Sequence, residues 1–482
     1  MTTIGPAALP ELLAAWLPAQ RWYSGQAGPL SDLAITTDTA LVAGDAAAGA
    51  PQLRHLILTV RRDGRAARYQ LMLGLRAEVP VALRHAVIGR LPGGLTAYDA
   101  LHDPELSRYL LTGIAEQREA GGLVFAREPG VPLGAWPGER VIAAEQSNTS
   151  VVYGDAAILK VLRRLFPGAN PDLEVAAALA RLGSVHVAPP YGWIQTSLDG
   201  EPVLLAVLSR FLAAASDGWS LAGASIGRLS ALHLRGPGGA VHPGLHPDYG
   251  REYLMTPVPP SGPGHREPSF AEEAHQLGRA TAELHDDLAT AFGAEQLTKS
   301  QLAGLAGQLA EKLDRAAAAV PALAPYTAKI RASYADLARF TLPVTVQRIH
   351  GDYHLGQVLR TADDWVALDF EGEPLVPLAE RTAPYPALRD VAGMLRSFDY
   401  AARHQLMAHP DAQQLRGPAA TWVQECQQAF CAGYARGGGL DPQANSVLLR
   451  ALMLDKAVYE VLYEANHRPA WLSIPLDYIA AA

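Results

Sequence analysis

Two aspartates in the C-terminal half of the chain, Asp352 and Asp369, constrain its fold and chemistry more than any other feature. Asp352 lies in the sequence His-Gly-Asp-Tyr-His, and a carboxamide, Gln357, follows five residues later. Asp369 lies 17 positions after Asp352, directly behind the apolar run Trp-Val-Ala-Leu, which predicts a β-strand. This layout is typical of an enzyme that transfers a phosphoryl group.

The spacing of these residues matches the needs of phosphoryl transfer. One carboxylate must orient the acceptor hydroxyl, and further oxygen ligands must hold magnesium against the phosphates. In protein kinases the base Asp and a metal-binding Asn lie five residues apart, and the Asp of an Asp-Phe-Gly sequence follows. We therefore expect Asp352 to be the catalytic base, and Gln357 and Asp369 to hold Mg²⁺. The alternative is that Asp352 only caps a turn and Asp369 only ends a strand.

A nucleotide-binding lobe is predicted upstream of these aspartates. Lys160 lies on the apolar run 157–162, a predicted strand from which a lysine reaches the phosphates of ATP as a point charge. Glu174 follows 14 residues later, at the start of an Ala-rich helix for which Asn170 is the predicted N-cap. We expect Glu174 to orient Lys160.

Segments along nearly the whole chain resemble the maltokinases of actinobacteria, in the aminoglycoside-phosphotransferase-like branch of the kinase fold. The resemblance implies an α+β, bilobal protein-kinase-like fold with an N-terminal cap subdomain, a β-rich N-lobe and a mainly α-helical C-lobe. One departure is Tyr353, where the family usually has a small aliphatic residue, and another is a Gly/Pro/His-rich stretch at 236–268. The segments that carry the resemblance are 20–23, 145–150, 347–352, 354–360, 369–374, 388–398, 455–460 and 467–469.

The resemblance implies an activity and its partners. The expected reaction is ATP-dependent phosphorylation of maltose to maltose 1-phosphate, with ATP and Mg²⁺ as cofactors. It further implies a role in α-glucan synthesis, where a trehalose synthase supplies maltose and is a possible binding partner. A polar turn without a Gly-x-Gly-x-x-Gly motif stands where a glycine-rich loop would cover the phosphates. Its expected cofactor-binding residues are Ser147, Asn148, Thr149 and Ser150.

A maltose acceptor requires polar groups and an aromatic surface near Asp352. Lys456, Tyr459 and Tyr463 lie three and four residues apart, so one face of a helix carries all three. Tyrosine rings suit sugars because they offer apolar area and a hydroxyl together, and the family's acceptor helix lies in this region. We expect these residues and Arg348 to contact the substrate. The alternative is that the tyrosines pack in the core.

Two other functions remain open. A glucosamine kinase of the same branch would need a carboxylate for the ammonium group of its sugar, because an unpaired buried charge is destabilising. Glu460 or Glu464 would supply it, and Tyr353 would narrow the pocket toward a monosaccharide. A pseudokinase that serves as a scaffold for trehalose synthase is the other alternative, and the complete set of predicted catalytic residues argues against it.

Length and composition agree with a cytoplasmic enzyme that acts on small molecules. The 482 residues suggest a cap over 1–135, a nucleotide-binding N-lobe over 136–222 and a helical C-lobe with the acceptor site over 223–482. A net charge of −8 argues against a nucleic-acid partner. Two cysteines exclude a disulfide framework, and the chain has no apolar run long enough to span a membrane.

Periodicity predicts individual elements within these parts. Two strands over 53–62 and 67–75 flank Asp63 and Gly64, a typical hairpin turn. Apolar residues at three- and four-residue spacing predict helices in the C-terminal part. These helices are expected over 271–291, 298–320, 326–340, 418–435 and 444–464.

Overall fold

The computed structural model describes residues 8–23, 30, 32–45, 49–62, 65–142, 148–233, 269–373, 376–407 and 409–482. These residues form two compact units. Unit 1 is the described part of Met1–Ala177 and Ala188–Ala213, and unit 2 is Ala178–Val187 with the described chain from Ala214 onwards. The Gly/Pro/His-rich stretch at 236–268 lies outside the described residues. The three-part division at residues 135 and 222 stays a prediction.

Unit 1 begins with helix α1 (Ala8–Trp16) and an antiparallel sheet in the order β1-β2-β3-β5-β4. The two strands predicted over 53–62 and 67–75 are confirmed as β2 and β3, although the turn residues between them lie outside the described chain. Trp22 packs against Tyr69 at a ring distance of 6.2 Å in the core of this sheet. The strands are β1 (Leu33–Val42), β2 (Gln52–Arg62), β3 (Arg65–Arg76), β4 (Val87–Arg90) and β5 (Thr96–Asp99).

A second, seven-stranded antiparallel sheet follows in unit 1, in the order β6-β7-β12-β13-β10-β9-β8. Helix α3 begins directly after Asn170, whose Oδ1 accepts a hydrogen bond from Leu173 N at 3.1 Å, so the predicted N-cap is confirmed. Strand β11 pairs with β3 of the first sheet. The elements are α2 (Pro104–Glu116), β6 (Glu119–Ala120), β7 (Leu123–Arg127), β8 (Glu139–Ile142), β9 (Asn148–Tyr153), β10 (Ala157–Leu162), β11 (Arg164–Leu165), α3 (Pro171–Leu182), β12 (Pro190–Leu198) and β13 (Glu201–Arg210).

Unit 2 is mainly helical. Helices α5 and α10 pack closely because Gly278 and Gly433 stand at their contact, where a Cβ would come within 2.1 Å of Phe430 O and 1.9 Å of His275 O, respectively. The helices are α4 (Gly218–His233), α5 (Phe270–Phe292), α6 (Lys299–Ala319), α7 (Thr327–Ala338), α8 (Leu378–Arg381), α9 (Leu388–Met407), α10 (Ala412–Arg436), α11 (Ser446–His467) and α12 (Ser473–Ala481).

Two small three-stranded sheets complete unit 2, in the orders β14-β17-β18 and β15-β16-β19. The five helices predicted from periodicity are confirmed as α5, α6, α7, α10 and α11. Helix α10 begins six residues before the predicted start, so Pro418 lies inside it and not at its first turn. The strands are β14 (Ser216–Asp217), β15 (Ala294–Gln296), β16 (Thr345–Gln347), β17 (Val358–Arg360), β18 (Trp365–Ala367) and β19 (Tyr385–Pro386). Across the described ranges, the helices are all too short or too polar to cross a membrane.

Candidate active site

The loop that carries Asp352 is held by a buried carboxylate on helix α9. Asp390 is 1% exposed, and its two oxygens accept hydrogen bonds from His350 N at 2.8 Å and Gly351 N at 2.9 Å. Gly351 has a φ of +87°, which favours glycine because a side chain would be strained there. The ring of His350 also binds Leu368 O at 2.7 Å, so the loop is joined to the segment that follows β18.

A lysine from helix α11 binds the predicted catalytic base. Lys456 Nζ lies 3.0 Å from Asp352 Oδ1 and 2.6 Å from Glu373 Oε1, and the lysine side chain is only 9% exposed. Burial alone would raise the pKa of Asp352, but the positive charge of Lys456 outweighs it and holds that pKa below its ordinary value. The two carboxylates in turn raise the pKa of Lys456, against the effect of its burial. Asp352 is therefore charged and oriented.

The ion pairs continue from Glu373 into the interior of unit 2. Arg389 donates two hydrogen bonds to Glu373, at 3.0 and 3.1 Å, and a third to Asp455. The carboxylate next to Arg389 in sequence, Asp390, binds the backbone of the Asp352 loop instead. The resulting chain of alternating charges is Asp352, Lys456, Glu373, Arg389 and Asp455.

The two predicted magnesium ligands lie next to each other. The side-chain amide of Gln357 is 3.3 Å from Asp369 Oδ2, and Leu368 N donates to Gln357 O at 2.9 Å. Asp369 has a φ of +62°, a left-handed conformation that is uncommon outside glycine and is tolerated by Asp and Asn. A carboxylate and a carboxamide offer the oxygen ligands that Mg²⁺ prefers, so this pair fits the metal. Its metal-binding role stays a prediction.

Lys456, Tyr459 and Tyr463 share one face of α11, as the spacing predicted. Lys456 Nζ lies 5.0 Å from the centre of the Tyr459 ring, and the Tyr459 and Tyr463 rings stack with centres 6.2 Å apart. Tyr463 stacks further on His467 at 4.4 Å. Both tyrosines are half-buried, which leaves part of each ring open to solvent. This face of α11 therefore carries the ammonium group that binds Asp352 and, directly beside it, an aromatic surface.

The carboxylates proposed for an aminosugar already have basic partners. Arg396 donates to Glu460 at 2.8 and 3.1 Å, and Arg468 donates to Glu464 at 2.8 and 2.9 Å. Glu460 is 8% and Glu464 1% exposed. A role of either carboxylate in binding an ammonium group stays a prediction, and the ammonium group would compete with these arginines.

Two other predicted contributors to the acceptor site face the interior of unit 2. Tyr353 is 3% exposed, and its hydroxyl lies 3.0 Å from Thr281 Oγ1 on α5, so it cannot narrow an acceptor pocket. Arg348 is buried, donates to Thr382 O at 3.1 Å and lies over the ring of Phe292. A contact between Arg348 and an acceptor stays a prediction.

In unit 1, Lys160 lies on β10 as predicted, and Asp172 is a partner that sequence reasoning missed. Lys160 Nζ is 3.5 Å from Asp172 Oδ2, in the first turn of α3. Glu174 lies in the same turn, and its role in orienting Lys160 stays a prediction. The one signal in the sequence for this role of Asp172 is its position two residues before Glu174, in the same predicted first turn.

The residues of the predicted phosphate turn have different positions. Asn148, Thr149 and Ser150 belong to β9, whereas Ser147 lies outside the described residues. Ser150 is the cross-strand partner of Lys160 and so shares its face of the sheet. Thr149 faces the other way, and its hydroxyl binds Arg163 at 2.8 Å. A cofactor contact of Thr149 stays a prediction.

Comparison with known proteins identifies relatives among the sugar kinases. The maltokinase N-terminal cap domain family matches residues 16–103. A glucosamine kinase of Streptacidiphilus jiangxiensis is 30% identical over 382 residues, which cover 77% of this chain and 79% of that protein. A glucosamine kinase of Mycolicibacterium smegmatis is 27% identical over 346 residues, covering 70% and 78%.

A solved structure extends the similarity to the whole fold. A glucosamine kinase in complex with glucosamine, ADP and inorganic phosphate is 26% identical, covers 99% of both chains and superposes with a TM-score of 0.62. The predicted kinase-like fold with an N-terminal cap is thus confirmed, as is the resemblance to maltokinases in the cap. The chain belongs to the glucosamine kinase family of sugar phosphotransferases and carries a maltokinase-type cap domain at its N-terminus.

Proposed function

We propose that this protein transfers the γ-phosphoryl group of ATP to maltose, giving maltose 1-phosphate and ADP. The observation that carries the proposal is the face of α11. Lys456 binds Asp352 at 3.0 Å, and the stacked, half-buried rings of Tyr459 and Tyr463 continue from it along the same helix. An aromatic surface that starts at the catalytic base suits a neutral sugar of more than one ring.

The charges around this face support a neutral acceptor. Glu373 is bound by Lys456 and Arg389, and Glu460 and Glu464 are bound by arginines. An ammonium group on the acceptor would have to displace one of these basic side chains before it found a carboxylate. Hydroxyl groups need no such exchange, because they hydrogen-bond to paired carboxylates without a net change in charge.

Each residue has a defined task in this mechanism. Asp352 accepts the hydrogen bond, and then the proton, of the attacking hydroxyl. Gln357 and Asp369 would hold Mg²⁺, which when bound neutralises charge on the phosphates. Lys160 would bind the phosphates, with Asp172 and Glu174 to orient its side chain. Because Lys456 keeps Asp352 charged in spite of its burial, the acceptor hydroxyl meets an oriented carboxylate at neutral pH.

Glucosamine is the second candidate, and the similarity to glucosamine kinases over most of the chain favours it. The two candidates differ in the charge of the acceptor. If glucosamine is phosphorylated, its ammonium group needs a carboxylate close to Asp352. Glu373 follows Asp352 and Lys456 in the chain of charges and would supply that carboxylate, in competition with Lys456.

The decisive test is ADP release from ATP and Mg²⁺ with maltose, glucosamine, glucose or water as acceptor. We expect kcat/KM to be highest for maltose, and Asp352→Asn should abolish the release as a matched control. A higher kcat/KM for glucosamine would replace maltose by the second candidate. If none of the sugars stimulates release, the scaffold interpretation is favoured. Phosphorus NMR of the product then identifies the phosphorylated hydroxyl.

Association with a trehalose synthase stays a prediction from the resemblance. Size-exclusion chromatography of the mixed proteins would test it: a shared, earlier-eluting peak is expected. Separate elution at micromolar concentrations of both proteins would contradict the predicted association.

A further inference from the structure

The cap domain and the candidate nucleotide strands are joined by a buried polar network within unit 1. The cap domain corresponds to residues 16–103, and Lys160 lies on β10 of the second sheet. Leu162, the last residue of this strand, and Arg163, which follows it, are both bound by residues of the cap. We call this network the cap joint and define it by Gln70, Asp99, Thr149, Leu162 and Arg163.

Arg163 is the centre of the cap joint. It is 1% exposed, and its Nη2 donates to Asp99 Oδ2 at 2.5 Å, at the end of strand β5 in the cap. Its Nε donates to Thr149 Oγ1 at 2.8 Å, on strand β9. The guanidinium carbon also lies 4.8 Å from the centre of the Trp22 ring, in the 20–23 segment of the cap. One side chain therefore links three parts of unit 1.

Gln70 of the cap strand β3 fixes the backbone of the same segment. Its N donates to Arg163 O at 2.9 Å, and its side-chain amide donates to Leu162 O and Leu205 O at 2.6 Å each. Its side-chain oxygen in turn lies 3.1 Å from Nε2 of the buried His55. The end of β10 and the neighbouring strand β13 are thus both held by one glutamine of the cap.

The geometry of the strands connects this joint to Lys160. Thr149 pairs with Val161, and Ser150 pairs with Lys160, so the two pairs face opposite sides of the sheet. Arg163 binds Thr149 on the side away from Lys160. This bond ties β9 to the residue directly after β10, so it restrains how the two strands lie against each other and where Lys160 and Ser150 stand.

Stability alone does not explain a buried arginine at this position. A buried ion pair can be replaced by apolar residues of similar volume with little loss of stability. In addition, Arg163 Nη1 is buried without an acceptor among the described residues, and an unfilled buried donor destabilises a fold. What the arginine supplies is directional bonding to two strands, which apolar packing does not provide.

We propose that Arg163 is a positioning residue through which the cap domain sets the affinity for ATP. The inference rests on the proposed role of Lys160 in nucleotide binding. It assigns the cap a function in nucleotide binding and leaves the acceptor site unaffected. Loss of the arginine should therefore weaken ATP binding and leave the KM for the acceptor unchanged.

The test compares four variants of the full chain with the wild type. Arg163→Met removes the charge, Asp99→Leu/Arg163→Met removes the whole ion pair, and Thr149→Val removes only the hydroxyl. Tyr153→Phe is the matched control, because Tyr153 is a buried residue of β9 whose hydroxyl donates to Ser107 O at 2.8 Å, at the far end of the strand. The measurements are the Kd for ATP with Mg²⁺ by calorimetry without acceptor, both KM values and Tm.

We expect Arg163→Met and Thr149→Val to raise the Kd for ATP about threefold to tenfold, the range for one lost hydrogen bond, with acceptor KM nearly unchanged. The double variant should regain Tm, because no unpaired charge remains buried, and should still bind ATP weakly. Tyr153→Phe should keep the wild-type Kd. If ATP affinity in the double variant returned to the wild-type value together with Tm, the arginine would be only structural and the proposal would be overturned.

The failure of this inference differs from the failure of the proposed function. A wild type that binds ATP but phosphorylates none of the sugars refutes the proposed function, and the Kd values of the variants still decide the role of Arg163. A wild type that phosphorylates sugar, with an unchanged Kd in Arg163→Met, refutes only the inference. A wild type that does not bind ATP overturns both.

Discussion

Replacement of Lys456 by Met should both destabilise unit 2 and change the pH dependence of catalysis. The lysine is nearly isosteric with Met, so the change removes a buried positive charge and little volume. It leaves Asp352 and Glu373 without the ammonium group that lies 3.0 and 2.6 Å from them. Arg389 remains to compensate Glu373, whereas Asp352 is left with the histidines of its own loop, of which His354 has its Nε2 3.9 Å from Asp352 Oδ2.

The size of the effect follows from these distances. At an effective dielectric constant of about 20, two unit charges 3.0 Å apart attract by roughly 5 kcal/mol. Burial of the ions offsets several kcal/mol of that attraction, yet loss of one partner from a buried pair still destabilises by about 3–5 kcal/mol. We expect a decrease of that order in the free energy of unfolding at pH 7, measured by urea denaturation.

The sign of the pH dependence follows from the direction of the two pKa shifts. The pKa of Asp352 is lower in the folded protein, so its contribution to stability is present above the unfolded value of about 4 and is lost as pH falls through the folded value. The pKa of Lys456 is higher in the folded protein, so its contribution is present below the unfolded value of about 10 and is lost as pH rises through the folded value. The stability difference between wild type and Lys456→Met should thus be constant between about pH 5 and 9 and should decrease toward acid.

Catalysis provides a second, independent measurement. Without Lys456, burial raises the pKa of Asp352, and the acid limb of kcat/KM should move up by at least about one pH unit. Lys299→Met, at the exposed first position of α6, is the matched control and should leave the limb in place. An unmoved limb in Lys456→Met, together with additive losses of stability in Asp352→Asn/Lys456→Met, would refute the coupling of these two residues.

Three further predictions concern the other candidate residues. Asp352→Asn should lower kcat by ~10²–10⁴-fold and leave the Kd for ATP within about twofold of the wild type, and a variant with half the wild-type kcat would contradict the role of base. Asp369→Asn should abolish the effect of Mg²⁺ on ATP binding in calorimetry, and Asn tolerates the left-handed backbone, so that charge is tested apart from strain. Tyr459→Phe should raise the acceptor KM by about twofold to tenfold and Tyr463→Ala by more, with the KM for ATP unchanged; a lower Tm with both KM values raised would indicate core packing.

The parts of the fold that sequence predicted are those with short-range signals. The hairpin of β2 and β3 follows from the two predicted strands that flank Asp63 and Gly64, and the start of α3 follows from Asn170 as N-cap. The predicted start of α10 at residue 418 was wrong, because the helix begins six residues earlier, at Ala412, and continues through Pro418. Leu415, in the additional first turns, is 1% exposed, so tertiary burial supports a part of the helix that local propensity does not indicate.

The candidate site divides in the same way. Asp352, Gln357 and Asp369 were found because their separations in sequence are fixed by one loop and one short hairpin, β17 and β18. Glu373 was missed although it directly follows these residues, because its significance depends on Lys456, 83 positions away. Lys456 was predicted to contact the substrate, and its bond to Asp352 spans 104 positions. Charge partners at such separations have no periodicity that a sequence would reveal.

The same long-range pairing determines what can be inferred about the acceptor. From sequence, Glu460 or Glu464, each one position after a tyrosine of α11, was expected to supply the carboxylate that an ammonium group on the sugar needs. Arg396, from α9, binds the first, and Arg468 binds the second. An ammonium group on the sugar must then compete with a basic side chain for any of these carboxylates, and removal of that side chain should help it. Affinity for glucosamine that increases in Lys456→Met, while affinity for maltose decreases, would identify Glu373 as the point of that competition.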